Sequence, residues 1–336
     1  MPDSGTLDSF AEKKITVLIV AATRKEFLSR AVQSILHQDI DINLVEIIIV
    51  KTFSDEGLDR LIEEKGIVHI ISDKEDSVGK MLARGIEISK GKVICFLDDD
   101  DVFFPNKLSY ILELFKLMEL TYYHNSHLRL SDAGNTHGNI LYRKNQLTKS
   151  FLGNFSSNGD ITFAIKANSI VNLSSVSVRR EALIENLDDI REIRGATDYM
   201  MFYISIKFGG SFIIDNEVLS IYYIHRSAMR PSWDYTLYRK KLSELASNQI
   251  YVHEFGSTIF KYKEDYSPVS GLIYQWKLIK SISDDLTNRV VFKNLTDFFK
   301  AFLFIRPRYV FLFSVVSCVN LYSNYFAVNL IKFFQR

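Results

Sequence analysis

The stretch VICFLDDDDVFFPNKL, residues 93–108, decides the fold prediction because an apolar run leads directly into four aspartates. The run from Val93 to Leu97 has the continuous hydrophobicity of a strand that is covered on both faces of a parallel sheet. Asp98 to Asp101 would then lie at the carboxyl end of that strand, the edge where open α/β sheets bind their ligands.

The four adjacent carboxylates need an explanation because they repel one another. Two carboxylates about 5 Å apart repel by roughly 0.8 kcal/mol in water and by about 3 kcal/mol at an effective dielectric near 20. A divalent cation removes this repulsion, and carboxylate oxygens are ligands that suit Mg²⁺ and Mn²⁺. We therefore predict a metal–phosphate site at Asp98–Asp101, with a solvated acidic turn as the alternative.

Strands and helices alternate through the first 110 residues. Continuous apolar runs predict strands, and apolar residues three and four positions apart predict helices. The predicted strands are 15–22, 45–50, 68–71 and 93–97, and the predicted helices are 26–36, 58–64, 78–89 and 106–119. This alternation indicates βαβ units with right-handed crossovers, and therefore an α/β fold.

The middle of the chain gives weaker signals. From residue 120 to about Leu173 the sequence is polar and irregular and predicts no clear element. The elements predicted after it are a strand at 174–178, a helix start at 180–186, a helix at 197–208, strands at 211–214 and 217–224, and helices from about residue 235.

Composition limits the class of protein. With 47% hydrophobic and 24% charged residues among 336, the chain is globular, and its formal net charge of +1 indicates no nucleic-acid partner. Residues 289–336 nevertheless carry seven Lys or Arg and one Asp, a net charge of +6. Two cysteines in apolar segments, Cys95 and Cys318, favour a reducing compartment, and the N-terminus has no apolar core of a signal peptide.

The segment from Ser77 to Leu108 (SVGKMLARGIEISKGKVICFLDDDDVFFPNKL) resembles the central block of family 2 glycosyltransferases, which have the GT-A fold. It matches the glycine–arginine helix, the strand that ends in D-x-D, and the Pro-x-Lys-Leu exit of that family. Ala22-Thr23-Arg24 and the helix end AVQSILHQ, residues 31–38, match earlier parts of the pattern in the right order.

This resemblance implies the domain organisation. Residues 1–232 are expected to form a GT-A type catalytic domain, with a Rossmann-like mixed sheet flanked by helices. Residues 233–336 form a helical, aromatic-rich and cationic C-terminal region, most of which lies outside the resemblance.

The resemblance also implies a nucleotide-sugar site with a metal ion, Mn²⁺ or Mg²⁺. Asp98 and Asp100 would bind the ion and the donor diphosphate, and because side chains alternate along an extended chain, Asp99 and Asp101 would point the other way and shape the loop. The other residues assigned to donor binding are Ala22, Thr23, Arg24, Asp76, Lys80, Arg84, Asp99, Arg226 and Arg230, and His225 is a further metal ligand.

One position departs from the family pattern. Lys51 stands where an aspartate usually contacts the base or ribose of the nucleotide. Asp73 or Asp76, which follow the third predicted strand, could supply the missing acceptor. The donor nucleotide therefore stays open between UDP and GDP.

Asp198 has the position of the family's catalytic base, at the start of an apolar helix. An inverting transfer needs such a carboxylate to take the proton of the acceptor hydroxyl. The alternative is a carboxylate that only complements the helix dipole, worth about 0.3–1 kcal/mol. Asp188 and Asp189 are nearby competitors in a polar stretch.

The C-terminal region has features of a membrane-associating segment. Residues 289–305 form an amphipathic pattern rich in Phe and Lys, which is typical of a helix lying in a membrane interface. Tyr309–Ile331 contains no charged residue and would be about 34 Å long as a helix, enough to cross a bilayer. The alternative is a helical subdomain that buries its aromatic face against the catalytic domain or a second subunit.

Together these features predict an enzyme at the cytoplasmic face of a membrane, peripheral or anchored at its C-terminus, that transfers one sugar to a lipid-linked or surface glycan. The aromatic C-terminal region could also join two copies of the chain in a homo-oligomer. Two other functions remain open at this point: a nucleotidyltransferase with the same acidic metal site, and a membrane-tethered protein that binds glycans or nucleotides without catalysis.

Overall fold

Nine strands form one mixed sheet in the computed structural model, which describes residues 13–22, 24–131, 151–153, 158–166, 170–224, 235–260 and 268–284. The strands are β1 (Ile15–Ala21), β2 (Val45–Lys51), β3 (Val68–Ile71), β4 (Val93–Asp98), β5 (Val102–Phe103), β6 (Leu120–Ser131), β7 (Phe151–Gly153), β8 (Val176–Arg179) and β9 (Ser211–Ile224).

Ten α-helices accompany the sheet in these segments. They are α1 (Lys25–Leu36), α2 (Glu56–Glu64), α3 (Val78–Ile88), α4 (Lys107–Leu117), α5 (Asn158–Lys166), α6 (Arg180–Ile184), α7 (Leu187–Glu192), α8 (Thr197–Phe208), α9 (Tyr235–Ile259) and α10 (Pro268–Ser283). Short 3₁₀ helices at Ile42–Leu44 and Leu173–Ser175 precede β2 and β8.

The sheet has a parallel half and a mixed half. Its strand order is β3-β2-β1-β4-β8-β6-β9-β5, and β7 pairs with β9. The first four strands are parallel, so that Ile15 pairs with both Val45 and Val93. β8 runs antiparallel to β4 and β6, whereas β6 and β9 are parallel. This arrangement confirms the predicted α/β mixed sheet flanked by helices, and it places the ends of β1, β2, β3 and β4 along one edge.

Helices cover both faces of the sheet and create two apolar cores. One core joins the sheet to α1, α2 and α4, and the other joins it to α3, α6, α7 and α8. The buried residues of β1 and β4 alternate between the two cores: Ile19 and Leu97 face the first, and Leu18 and Phe96 face the second. This explains the continuous apolar runs in the sequence, because both faces of a central parallel strand are buried.

The sequence-based prediction misses β6 and divides β9 in two. β6 carries four consecutive polar residues, His124 to His127, and all of them are buried. Their polarity hides the strand from a search for apolar alternation. β9 is continuous from Ser211 to Ile224, with its polar residues Asp215 and Asn216 inside the strand. α7, which contains Asp188 and Asp189, is a further element that the sequence does not predict.

The last described helices share an apolar core with the sheet and α8. Val252 of α9 and Val269 and Ile273 of α10 belong to the same apolar cluster as α8. No helix among the described segments is both long and apolar enough to cross a membrane. The predicted membrane segments, residues 289–305 and 309–331, lie outside those segments.

Gly79 provides a test of the packing between α3 and α7. Its N–H donates to the Ile193 carbonyl oxygen at 3.1 Å, and an added Cβ would collide with the carbonyl oxygens of Ile190 and Ile193. Because backbone atoms cannot move aside easily, we expect Gly79→Ala to lower the free energy of unfolding by about 1–3 kcal/mol. Urea denaturation measures this change.

Gly57→Ala is the matched control. A Cβ added at Gly57 would lie 3.8 Å from its nearest neighbour, Asp55 Oδ1, which is an ordinary contact distance. Gly57 lies in α2, where alanine should be neutral or stabilising by up to about 1 kcal/mol. Equal effects of the two substitutions would contradict the close contact between α3 and α7.

Candidate functional site

The four aspartates lie where the sheet edge was predicted, but they do not stay extended. β4 ends at Asp98, and residues 99–100 form a turn in which the Asp101 N–H donates to the Asp98 carbonyl oxygen at 3.2 Å. The expected alternation of side chains therefore stops at Asp98. Asp99 and Asp100, rather than an alternate pair, share one cation.

That cation is Arg24, at the residue before α1. Its guanidinium lies 2.5 Å from Asp99 Oδ1 and also forms an ion pair with Asp100. A second arginine, Arg30, donates to the Asp100 carbonyl oxygen at 2.8 Å and lies 3.6 Å from the centre of the Tyr223 ring. These contacts bring the ends of β1 and β9 to the turn formed by residues 98–101, which we call the acidic turn.

Burial and mutual repulsion make the turn electrostatically unusual. Burial, with the neighbouring carboxylates, raises the pKa of Asp98 well above its ordinary value. Burial also raises the pKa of Asp99 to about 7, against the effect of Arg24, and that of Asp101 to about 8. Within the described segments these carboxylates form ion pairs with Arg24, and the raised pKa values mean that further negative charge at the turn is disfavoured without another cation.

This donor set suits a hard divalent cation. Asp98 and Asp100 offer carboxylate oxygens at a turn where a further cation would favour the ionised carboxylates, and Mg²⁺ and Mn²⁺ commonly combine one or two carboxylates with substrate phosphates. In the part of the chain that the structure describes, no three His, Cys, Asp or Glu side chains are arranged so that together they could hold a metal ion. The predicted third ligand, His225, lies outside it, as do Thr23, Arg226 and Arg230.

A buried lysine behind the turn fixes the 3₁₀ segment that supports it. Lys107 is fully buried, and its Nζ donates to Asn125 Oδ1 at 2.9 Å and to the Ser174 carbonyl oxygen at 2.5 Å. Ser174 Oγ in turn accepts the Asp98 N–H at 3.0 Å. Burial lowers the pKa of Lys107 to about 7. The sequence contained Lys107 only as a part of the Pro-x-Lys-Leu motif and did not indicate this structural role.

Asp198 lies in the first turn of α8 and is tied to the same 3₁₀ segment. Its Oδ2 accepts the Asn172 N–H at 3.1 Å and its Oδ1 accepts the Tyr199 N–H at 2.9 Å. Because Asn172 and Ser174 are two residues apart, one short segment contacts both Asp98 and Asp198. Burial raises the pKa of Asp198.

The backbone around Asp198 is in a sparsely populated conformation. Asn172 and Ala196 have φ values of 84° and 55°, and they are the non-glycine residues with positive φ in the described segments. One of them donates to Asp198, and the other precedes its helix. Such strain accumulates at functional sites, so it supports the choice of Asp198 over its competitors. Asp188 and Asp189 instead form surface ion pairs with Arg191 and Lys207 at 2.6 and 2.9 Å.

A second polar cluster lies at the end of β3. Asp76 accepts from Ser72 Oγ at 2.9 Å and forms an ion pair with Arg84 at 2.7 Å, with Lys80 Nζ at 3.6 Å. The Ser72 hydrogen bond and Arg84 lower the pKa of Asp76. The Ser72 N–H also donates to the Lys51 carbonyl oxygen at 2.7 Å, so this cluster adjoins the end of β2. The structure thus brings the predicted residues Asp76, Lys80 and Arg84 together.

Lys51, the departure from the family pattern, is a core residue. Its side chain is fully buried, forms an ion pair with Asp59 of α2 and lies 5.4 Å from the centre of the Phe53 ring. Its charge is therefore directed away from the edge of the sheet. At that edge, the Thr52 hydroxyl donates to the carbonyl oxygen of Ala22, which follows β1. Lys51 thus does not argue against a nucleotide site.

Comparisons with known proteins agree with this geometry. Residues 16–179 match the family model described as Glycosyl transferase family 2. An uncharacterized glycosyltransferase of Rickettsia bellii is 31% identical over 129 residues, which cover 37% of this chain and 18% of the relative. A second one, of Nostoc sp., is 32% identical over 114 residues, which cover 32% and 34%. The match thus spans a fifth to a third of these relatives.

Solved structures show the same fold at low identity. TarS 1–349 of S. aureus, in complex with UDP-GlcNAc, has a TM-score of 0.52 and 13% identity, covering 87% of this chain and 89% of that one. The mannosyltransferase PcManGT of Pyrobaculum calidifontis, in complex with GDP-Man and Mn²⁺, has a TM-score of 0.51 and 12% identity, covering 96% and 88%.

The fold, together with the carboxylates at one edge of the sheet, defines a GT-A-like α/β domain. Residues 16–179 match glycosyltransferase family 2, and the resemblance seen in the sequence is confirmed.

The buried lysine predicts a specific pH dependence of stability. Lys107 has a pKa of about 7 in the folded protein and about 10.4 when unfolded, so between these pH values the unfolded chain binds more protons than the folded one. Its contribution to the free energy of unfolding therefore rises with pH in this range. Relative to Lys107→Met, the wild-type free energy of unfolding should rise by about 1.5 kcal/mol from pH 7 to pH 8.5.

Chemical denaturation at a series of pH values measures this difference. The comparison with Lys107→Met is needed because Asp99 and Asp101, with pKa values of about 7 and 8, lower stability over the same window in both proteins. The window ends at pH 8.5 because burial also raises the pKa of Cys95, to about 11, which has the same opposing sign at higher pH. Parallel profiles for the wild type and the variant would show that the Lys107 amine keeps an ordinary pKa.

Proposed function

We propose that this protein transfers one sugar, with inversion, from a nucleotide-diphosphate donor to a glycan acceptor in a metal-dependent reaction. The observation that carries the proposal is the 3₁₀ segment around Ser174. It contacts Asp98 of the acidic turn on one side and Asp198 on the other. A metal–diphosphate site and a proton acceptor would therefore lie side by side, as an inverting transfer requires.

The acidic turn is the proposed site of the donor diphosphate. Asp98 and Asp100 would hold Mn²⁺ or Mg²⁺, which when bound offsets the charge that develops on the leaving nucleoside diphosphate. Arg24 already contacts Asp99 and Asp100, and its guanidinium would turn to the diphosphate, for which it has a favourable bidentate geometry. The Mn²⁺ in the complex of PcManGT supports this assignment by analogy of fold.

Asp198 is the proposed base. It would accept the proton of the acceptor hydroxyl while the oxygen attacks the anomeric carbon of the donor sugar. Two backbone N–H groups, of Asn172 and Tyr199, hold its oxygens in a fixed orientation. Burial raises its pKa, which makes the carboxylate a better proton acceptor than a solvated aspartate.

The Asp76 cluster is the proposed contact of the nucleotide base or ribose. Asp76 and Arg84 together offer an acceptor and a donor at the end of β3, next to the strand end where the family usually has its aspartate. UDP and GDP remain the two candidate nucleotides, and structural relatives bind UDP-GlcNAc and GDP-Man.

The acceptor is proposed to be a lipid-linked or surface glycan. The support is the sequence of residues 289–336, whose net charge of +6 and aromatic content favour an anionic membrane surface. The enzyme would then work at the cytoplasmic face of a membrane, peripherally or through a C-terminal anchor, with a homo-oligomer as a further possibility for this region.

Asp198→Asn tests the base directly. The amide keeps the shape of the side chain but cannot take a proton, so we expect turnover to fall by about 10²–10⁴-fold. Donor affinity should stay within a few-fold of the wild-type value. Release of nucleoside diphosphate from a panel of UDP- and GDP-sugars with Mn²⁺ measures turnover, and calorimetry measures donor affinity.

Asp188→Asn is the matched control, since Asp188 has a side chain that is 95% exposed and lies in the same part of the chain. If Asp198→Asn transferred sugar as fast as the wild type, Asp198 would not be the base. Absence of any hydrolysis or transfer by the wild type across the panel would count against the enzyme itself.

Asp76→Asn tests the nucleotide contact. The amide cannot accept charged hydrogen bonds as the carboxylate does, so we expect the affinity for the preferred nucleoside diphosphate to fall by about 10–100-fold. Calorimetry with UDP and with GDP measures the change.

Asp73→Asn is the matched comparison, because Asp73 is the other candidate acceptor and is exposed. If Asp76 is the contact, the Asp73 variant binds the nucleotide with the affinity of the wild type. An Asp76 variant that binds the nucleotide as the wild type does would limit Asp76 to a structural ion pair with Arg84.

A further inference from the structure

The ends of β6 and β9 carry a polar group of side chains that the proposed reaction does not use. The two strands are parallel and pair Arg129 with Tyr222. The guanidinium of Arg129 lies 5.8 Å from the centre of the Tyr222 ring, and the His127 ring lies 5.9 Å from it at an edge-to-face angle of 67°. Arg129 and His127 thus flank one tyrosine.

Both flanking side chains hold hydrogen-bond donors without acceptors. Arg129 Nε is buried and has no hydrogen-bond partner, and no carboxylate of the described segments lies within ion-pair distance of its guanidinium. His127 is fully buried, and its Nε2 also lacks a partner. Buried donors without acceptors cost free energy, so two of them around one ring indicate a missing ligand.

The hydrogen-bond network makes His127 a neutral donor. Its Nδ1 lies 3.2 Å from Ser175 Oγ, which itself accepts from Asn172 Nδ2 at 3.2 Å. Ser175 Oγ also lies 3.3 Å from Ser220 Oγ, which accepts from Asn125 Nδ2 at 3.0 Å. We assign the Ser220 hydroxyl as the donor to Ser175 Oγ, so that the Ser175 hydroxyl donates to His127 Nδ1 and the ring proton is on Nε2. Burial lowers the pKa of His127 to about 3, so the ring is uncharged at neutral pH.

This group adjoins the reaction site on two sides. Burial raises the pKa of Tyr222, and the carboxylates of Asp101, Asp98 and Asp100 raise it further, which places the ring in the field of the acidic turn. From His127, hydrogen bonds lead through Ser175 and Asn172 to Asp198. A ligand here would therefore lie near both the donor diphosphate and the base.

We propose that Arg129 and His127 bind an anionic group, a phosphate or phosphodiester, of the sugar acceptor. Guanidinium groups bind phosphate through paired hydrogen bonds, and the His127 Nε2–H supplies one more donor without adding charge. The Tyr222 ring, which lies within 6 Å of both side chains, would contact the same group. The inference rests on the proposed function, because it assigns a chemical class to the acceptor of that reaction.

Inorganic phosphate is the probe for this site. The full chain is first saturated with whichever nucleoside diphosphate binds, UDP or GDP, with Mg²⁺, so that the donor site is occupied. Phosphate is then titrated, and its binding is followed by calorimetry and ³¹P NMR. We expect the wild type to bind phosphate under these conditions, Arg129→Gln to bind it at least tenfold more weakly, and Arg129→Lys to recover part of the affinity.

Two controls separate binding from folding and from general charge. Lys116→Gln removes an exposed cation that is paired with Glu113 and should leave phosphate binding unchanged. His127→Phe retains an aromatic ring but removes the Nε2–H, so it should weaken phosphate binding by a smaller factor than Arg129→Gln does. Thermal unfolding of every variant shows whether it is folded.

Two results would overturn the proposal: equal phosphate affinity in Arg129→Gln and the wild type, or no phosphate binding once the nucleotide is bound. If the proposed function is wrong, neither UDP nor GDP binds. The phosphate titrations of the wild type and of Arg129→Gln are then made without a nucleotide, and they still test the phosphate site. A soluble sugar phosphate and a polyprenyl phosphate in phosphatidylcholine vesicles distinguish a free from a lipid-linked source.

Discussion

The hydrogen bond from the Asp98 N–H to Ser174 Oγ is the interaction on which the arrangement of the site depends. It joins the end of a parallel strand to the 3₁₀ segment that begins the antiparallel part of the sheet. Lys107 holds the Ser174 carbonyl oxygen, and the Asn172 N–H holds Asp198. The acidic turn, the buried lysine and the candidate base therefore have one common support, and a shift of this segment would move all three.

The sequence predicted the parallel half of the fold and the position of the acidic turn. This was possible because β1 and β4 are buried on both faces, which leaves a continuous apolar run such as Val93–Leu97. β6 could not be predicted in the same way, since its buried residues His124 to His127 are polar, and the tertiary hydrogen bonds that they form are not visible in the sequence.

Within the site, local pattern predicted which residues take part but not how they are paired. Asp198 could be selected from its place at the start of an apolar helix, and the structure adds its link to Asn172. The pairing of Asp99 and Asp100 with Arg24 depends on a turn after Asp98, whereas the alternation rule assumes an extended chain. Lys51 looked like a change in the nucleotide pocket, but its partner Asp59 becomes visible only in three dimensions.

The packing of α9 on α8 has a consequence for how the protein can be divided. Tyr203 of α8 is hydrogen-bonded to His253 at 2.9 Å and lies so close to Gly256 that no larger residue fits without displacement. The helix that carries Asp198 is thus supported along its side by residues beyond position 232. The C-terminal helices therefore support α8 and with it the candidate base, and a fragment that ends at position 232 would lose that support.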